Sequence, residues 1–376
     1  MVSWRPIALV LALALPACGS TSADSSAELE PQRREELAKH WRLYLANDPK
    51  WPEAREQWIS GSEVERELLL DNLLIELLRD DAASRGSGTS ARSARARREL
   101  SWFGGDGVEY LIEAMRALVE RERVDAVALD RIGYALAELQ ATKELAALAA
   151  PAEQGGSREP SERPEREMRL RVAATRSLAL IDDPEAVRAL ASRLCDDPSW
   201  EVRAAAAEGL RKRVQHVEAR AALVQALSDE DGFVRAQAVR IVLLGLKPEE
   251  ESGEFERVLF FLLEDPAPAA RAAAAASLAL FTYDPRVEAA LVRALADRDR
   301  AVVQAAAQAL VNQRTLRVQR ALIDALERAK HAREEALVSE LLAVLSANVG
   351  ERPTDIWNPA GWRKLVETRA RPPKEE

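Results

Sequence analysis

Apolar positions in this chain recur with a helical period inside segments, and the segments themselves recur. The template is an aliphatic residue, a small residue four positions on and a Leu or its equivalent eight positions on, which keeps all three on one helical face. It is read at Leu170/Ala174/Leu178, Val202/Ala206/Leu210, Val234/Ala238/Val242, Ala270/Ala274/Leu278 and Val302/Ala306/Leu310, with starts 32, 32, 36 and 32 residues apart. We term these B helices. A second pattern, Leu-x-x-x-Leu, follows each of them or stands between them, at Leu190/Leu194, Leu223/Leu227, Leu259/Leu263, Leu291/Leu295 and Leu322/Leu326. Ala186, Ala219, Phe255, Val287 and Val318 stand four residues before the pairs, so these A helices carry an apolar stripe of their own. A two-helix unit repeated in register predicts an all-α chain, a right-handed α–α solenoid over residues 168–346.

The pattern weakens upstream without disappearing. Ala128/Ile132/Leu136 is a further copy, and residues 99–150 read as degenerate repeats. Residues 151–167, rich in Pro, Gly and charge, read as a solvated loop inserted before the regular array. Leu341 and Leu345 continue the stripe, and 347–376 is left as a C-terminal cap and tail. Residues 31–80 form a separate N-terminal helical module containing Trp41, Tyr44, Trp51 and Trp58, with Asn47-Asp48-Pro49 and Pro52 breaking its helices. Residues 81–98 hold five Arg, four Ser and, from Ala82 on, no acid. They read as a hinge entering a helix near Ala94, with contact to anionic lipid or polymer as the less favoured alternative.

The first residues set the compartment. Residues 1–17 hold Arg5, the apolar run Ile7–Leu15 and then Leu15-Pro16-Ala17 before Cys18. That run falls well short of the roughly 20 residues that span a bilayer, and it reads as an export signal. The four residues ending at Cys18 resemble the lipobox of bacterial lipoproteins, with Pro16 a less usual residue at its place. The resemblance implies cleavage before Cys18 and lipidation, palmitate included, of its thiol and new amino group. A plain signal peptide with an incidental Cys is the alternative. Residues 18–30 are small and polar, a flexible tether. With Gly19 after Cys18, the periplasmic face of the outer membrane is the expected location.

The turns carry a family resemblance. Asp197-Pro198 followed by Val202-Arg203 resembles the turn and second-helix start of HEAT and HEAT-like (phycobilisome-lyase-type) repeats. Asp229 with Val234-Arg235 and Asp265-Pro266 with Ala270-Arg271 keep the same offsets; Asp297 keeps the Asp but has Val303 for the Arg; Glu165 replaces the Asp before Arg171. The resemblance implies a solenoid of HEAT-like helix pairs. It leaves function open, because such repeats serve scaffolds, transport factors and enzyme-associated chains. On physical grounds, the Asp and Pro suit a helix start. Arg171, Arg203, Arg235 and Arg271 are then expected to bridge to neighbouring Asp residues as a structural ladder.

Composition narrows the function. Aromatics are 5% of residues and the net charge is −9, which suits closely packed small-residue helices and disfavours phosphate backbones. His40, His216 and His331 have no second ligand at metal spacing, and Gly104-Gly105-Asp106-Gly107 lacks the Lys of a phosphate loop. Asp229-Glu230-Asp231 and Glu249-Glu250-Glu251 read as solvated loops, and Cys195 as a small buried hydrophobe. No catalytic residue, metal or cofactor is expected. Six residues past their template starts stand Arg176, Glu208, Arg240 and Gln308, with Arg211 nearby. Facing outward on B helices, these are the candidate groove for a mixed-charge protein or peptide partner. Trp200 and Phe233 lie in turns at its edge, either as exposed anchors or packed over neighbouring turns.

The expected function is thus a membrane-anchored, non-catalytic scaffold binding a protein partner in the bacterial cell envelope, without nucleic acid. The alternatives are a structural lipoprotein binding cell-wall polymer and an accessory subunit of an envelope enzyme. Cys18→Ser is expected to leave the protein unprocessed or released, which carbonate washing and fractionation would show. A variant held in the membrane pellet as firmly as the parent would remove the lipid anchor from the picture.

Overall fold

The structure, a computed structural model, describes residues 29–79, 91–121, 125–151, 164–242, 261, 263, 265–281 and 284–370. The leader, Cys18, Phe255, Leu259, Glu249–Glu251 and most of the 151–167 insertion lie outside the described residues. Among the described residues there is no strand, and no helix is long and apolar enough to cross a membrane. Two compact units divide between Ala189 and Leu190.

The first unit contains α1 (Pro31–Leu45), α2 (Trp51–Ile59), α3 (Glu63–Leu78), α4 (Ala91–Leu100), α5 (Gly104–Val119), α6 (Ala126–Glu138), α7 (Thr142–Ala149) and α8 (Pro164–Leu178). Pro52 does not separate helices; it sits in the first turn of α2, where its missing N–H leaves nothing unsatisfied. Ser62 and Glu65 form a reciprocal capping box at the start of α3. Glu65 also accepts Arg33 Nε at 2.7 Å, which fastens α1 to α3. The aromatic residues interlock: Trp41 stacks on Tyr44 at 4.5 Å, and Trp51 meets Tyr44 edge-on at 5.2 Å. Tyr44, Trp51 and Trp58 are buried in the core of the module, and Trp41 is half-buried against them.

The basic stretch is helical from Ala91, three residues before the expected start. Two of its arginines are engaged. Arg95 lies over the Tyr44 ring at 4.1 Å and donates to the Tyr44 carbonyl at 2.6 Å, while Arg97 donates to Glu138. The part of this stretch described by the structure is therefore a tie between α4 and its neighbours. Farther along, α8 begins at Pro164, inside the range read as loop. A Cβ on Gly133 of α6 would come within 2.5 Å of Ser177 Oγ on α8, so the close packing of these helices requires glycine there.

Helix α9 (Pro184–Asp196) spans the boundary, and the second unit continues through α10 (Trp200–Leu210), α11 (Val217–Ala226), α12 (Gly232–Val242), α13 (Pro268–Ser277), α14 (Pro285–Ala294), α15 (Arg300–Ala309), α16 (Leu316–His331), α17 (Glu335–Val349) and α18 (Pro359–Ala370). The B helices α10, α12, α13, α15 and α17 pack one on the next in sequence order. Every template residue from Val202 to Leu310 is buried, as are the described leucines of the A-helix pairs except Leu263, which is exposed. Alanines such as Ala206, Ala238, Ala274 and Ala306 are wholly buried, and their small side chains let neighbouring B helices approach closely. These helix pairs form the all-α solenoid that the spacing predicts.

Asp71 of α3 is fully buried. Tyr110 of α5 donates to its Oδ1 at 2.5 Å, while Oδ2 has no hydrogen-bond partner among the described residues. Burial pushes the carboxyl up to about 6, with nearby Glu67 adding to the rise and the Tyr110 bond opposing it. A carboxyl raised in the folded state stabilises its protonated form. The contribution of Asp71 to stability should therefore be fully present below the ordinary carboxylate range and be lost as pH rises through about 6. The shift corresponds to roughly 2 to 3 kcal/mol. Asp71→Asn keeps an acceptor for Tyr110, so it should stabilise the protein above neutrality and flatten that pH dependence. Urea unfolding of both proteins at about pH 5 and pH 8 measures this; equal slopes with pH would rule out the Asp71 assignment.

Candidate interaction surface

The turns between A and B helices are built on one repeated arrangement. The side chains of Asp197, Asp229, Asp265 and Asp297 accept the backbone N–H two residues on, at 2.8 to 2.9 Å. Each acid thereby folds a turn outside its helix; the expected capping of the helix start by these residues does not occur. Pro198 and Pro266 likewise lie in the turns and not in a helical first turn. Capping falls to other residues, as where Asp299 accepts from Ala301 and Asp231 from Phe233.

Asp229, Asp265 and Asp297 also receive the arginine of the preceding repeat. Arg203 grips Asp229, Arg235 grips Asp265 and Arg271 grips Asp297. In each pair Nε donates at 2.8 Å and Nη2 at 2.9 Å. The remaining Nη1 turns back onto the carbonyl of its own turn's Asp, at 3.0, 2.7 and 2.8 Å respectively. Their side chains are at most 15% exposed. These bonds hold each guanidinium above its ordinary range. Asp297 is pushed up by burial and pulled down more strongly by Arg271 and the Asp299 N–H, so its net shift is downward. The expected ladder is present, and Asp229 is one of its rungs instead of a solvated loop residue. It stops at Asp297, because Val303 cannot reach onward. There the buried Asn348 of α17 clamps the following turn, donating to the carbonyls of Leu310, Val311 and Gln313.

With the turns fixed, one position on each B helix faces solvent. Arg176, Glu208, Arg240, Ala276, Gln308 and Ala343 occupy equivalent places, and all are exposed. Glu208, Arg240 and Gln308 stand on B helices of the second unit, while Arg176 belongs to the first, where it faces Asp130 of α6. Arg211 pairs with Glu208 at 3.2 Å. Charge alternates only as far as Arg240; Ala276, Gln308 and Ala343 bring neutral side chains to the rest of the row. Trp200 and Phe233 pack together edge-on at 5.5 Å, yet remain 42% and 46% exposed. The pair thus packs across neighbouring turns and still presents part of each ring to solvent. Cys195 is half-buried, contacts Gln225 Oε1 at 3.5 Å, and has its thiol pushed up by burial and by Asp196. Among the described residues no cluster of His, Cys, Asp and Glu could hold a metal ion.

Comparison with known proteins agrees with the repeat. The HEAT repeats family matches residues 163–242 and 256–343, the segments that carry the ladder. No curated protein matches the chain. Among solved structures it is similar to YibA of Escherichia coli at 15% identity and a TM-score of 0.44, over 74% of this chain and 98% of that one. It is also similar to the CpcE–CpcF phycocyanin lyase complex of Nostoc sp. PCC7120, at 19% identity and a TM-score of 0.31, over 68% and 94% of the two chains. A chain of the Kap95p–RanGDP structure matches at 13% identity and a TM-score of 0.45, over 91% of this chain and 54% of that one. Likenesses at this level say nothing of function.

The ladder separates structural arginines from free ones. Arg203→Ala strips Asp229 of its buried partner and should destabilise the protein by about 3 kcal/mol. Arg211→Ala removes an exposed pair and should cost less than about 0.5 kcal/mol. Denaturant unfolding of the two variants tests this, and equal losses would exclude the ladder as the main tie between turns.

Proposed function

With residues 163–242 and 256–343 identified as HEAT repeats, we propose that the chain is a non-catalytic scaffold that binds a protein or peptide partner. In this reading it hangs in the bacterial cell envelope from lipidated Cys18 by the 18–30 tether. The observation that carries the binding role is the exposed row on the B helices. Glu208, Arg240, Ala276, Gln308 and Ala343 stand at one register of successive helices, and the packing does not consume them. Such a row offers a partner regularly spaced contacts on a rigid support, with little ordering left to be done on binding. Polymer binding through the Arg-rich stretch loses support, since Arg95 and Arg97 are engaged within the fold.

A photocrosslinking residue placed at Ala276 or Gln308 should give a discrete adduct in intact envelopes, while the same residue at Arg286 or Arg320 on the A helices should not. Arg240→Ala with Gln308→Ala should weaken the adduct and shift the melting temperature by less than about 2 °C. Equal adducts from A and B positions, or an adduct indifferent to the double variant, would overturn the assignment of the binding face.

A further inference from the structure

A second surface lies on the turns that lead into α10 and α12. The turn of Asp197 and the turn of Asp229 are locked together by Arg203, so whatever they display is held without further ordering. They display two things. One is the Trp200–Phe233 pair, each ring still more than two-fifths exposed. The other is a cavity of about 330 Å³ between the turns, opening where Asp196, Ser228 and Glu230 stand and passing Cys195 and Gln225.

The cavity is small for a cofactor but suits one long side chain, since ligand pockets start at around 300 Å³. Four carboxylates line it, from Asp196, Asp197, Asp229 and Glu230, against the guanidinium of Arg203 in the lining and that of Arg193, 3.7 Å from Asp197, so negative charge is in excess. Asp197 and Asp229 are already bonded within the ladder. Asp196 is exposed, and the Glu230 side chain is 84% exposed with only one contact to Arg203. Unused negative charge therefore stands at the mouth, and phosphate or carboxylate ligands are repelled. On the adjoining residues of the same turns, two aromatic rings offer apolar area and π faces that attract cations.

We propose that these two turns dock a basic, extended segment of a partner protein. An Arg or Lys side chain enters the cavity between Asp196 and Glu230, and a flanking apolar side chain covers Trp200 and Phe233. The proposal uses other residues than the B-helix row and does not depend on that row binding anything.

The test uses the purified full chain and labelled extended peptides of Leu, Ser and Pro that hold Arg, Lys, citrulline or Glu at the centre. Fluorescence anisotropy should show the Arg and Lys peptides binding, more weakly as salt rises. The citrulline peptide, alike in shape but uncharged, should bind at least about tenfold more weakly, and the Glu peptide not at all. Asp196→Asn with Glu230→Gln should abolish the preference for Arg over citrulline. Trp200→Ala should weaken binding of the Arg peptide by roughly tenfold with an unchanged melting temperature. If that variant melts early, Phe233→Leu gives the same readout. No binding, equal binding of the citrulline and Arg peptides, or binding lost in Arg240→Ala with Gln308→Ala but not in the turn variants would overturn the proposal. Because no cellular partner is involved, that failure leaves the crosslinking result from the B-helix face standing, and the reverse also holds.

Discussion

The second unit depends on a planar guanidinium with more donors than one partner can use. Arg203, Arg235 and Arg271 each spend two donors on the carboxylate of the next turn and a third on the carbonyl of their own. Lysine could not replace them, because an ammonium carries no fixed fork to align two turns at once. Hydrophobic burial is not directional and would tolerate helix pairs sliding over one another. The bidentate bonds set the register between repeats. The apolar stripes then supply most of the stabilisation without having to define it.

Close approach is the second constraint, and it acts at the same turns. Gly232 opens α12 where a Cβ would lie 2.3 Å from that of Ala267, so the residue that starts this helix must be bare. Trp200 holds the equivalent place on α10 and packs its ring edge-on against Phe233. One of these two turns is thus a tight junction and the other an aromatic one, although the ladder beneath them is the same. The cavity belongs to the aromatic junction.

Much of this was legible from spacing alone. The stripes at Val202, Val234, Ala270 and Val302 are buried as their period requires, and the recurring Asp and Arg announced a bridge between turns. Features that do not repeat were hidden. Asp71 meets Tyr110, Arg33 meets Glu65 and Arg95 meets Tyr44 across long stretches of chain. Each meeting depends on which helix lands opposite, which no single periodicity encodes. Asp229 reads in two ways, as the turn acid six residues before Arg235 and as part of a solvated acidic loop, and its bonds to Arg203 bear out the first. The cavity beside Cys195 was likewise invisible, since it exists only between two turns set at the ladder's spacing.

The ladder has a direction, each arginine reaching forward to the acid of the following turn. Every interior turn is therefore a receiver on one side and a giver on the other, and all have the same geometry. Excision of residues 200–231 would join Ser199 to Gly232, leaving Asp197 the same six residues ahead of Arg235 that it now stands ahead of Arg203. The joint would still close on Asp265 through Arg235. A loss of a few residues would strand both partners. Such an array can gain or shed whole units by recombination and keep its coherence, which makes its length a more readily inherited variable than its local sequence.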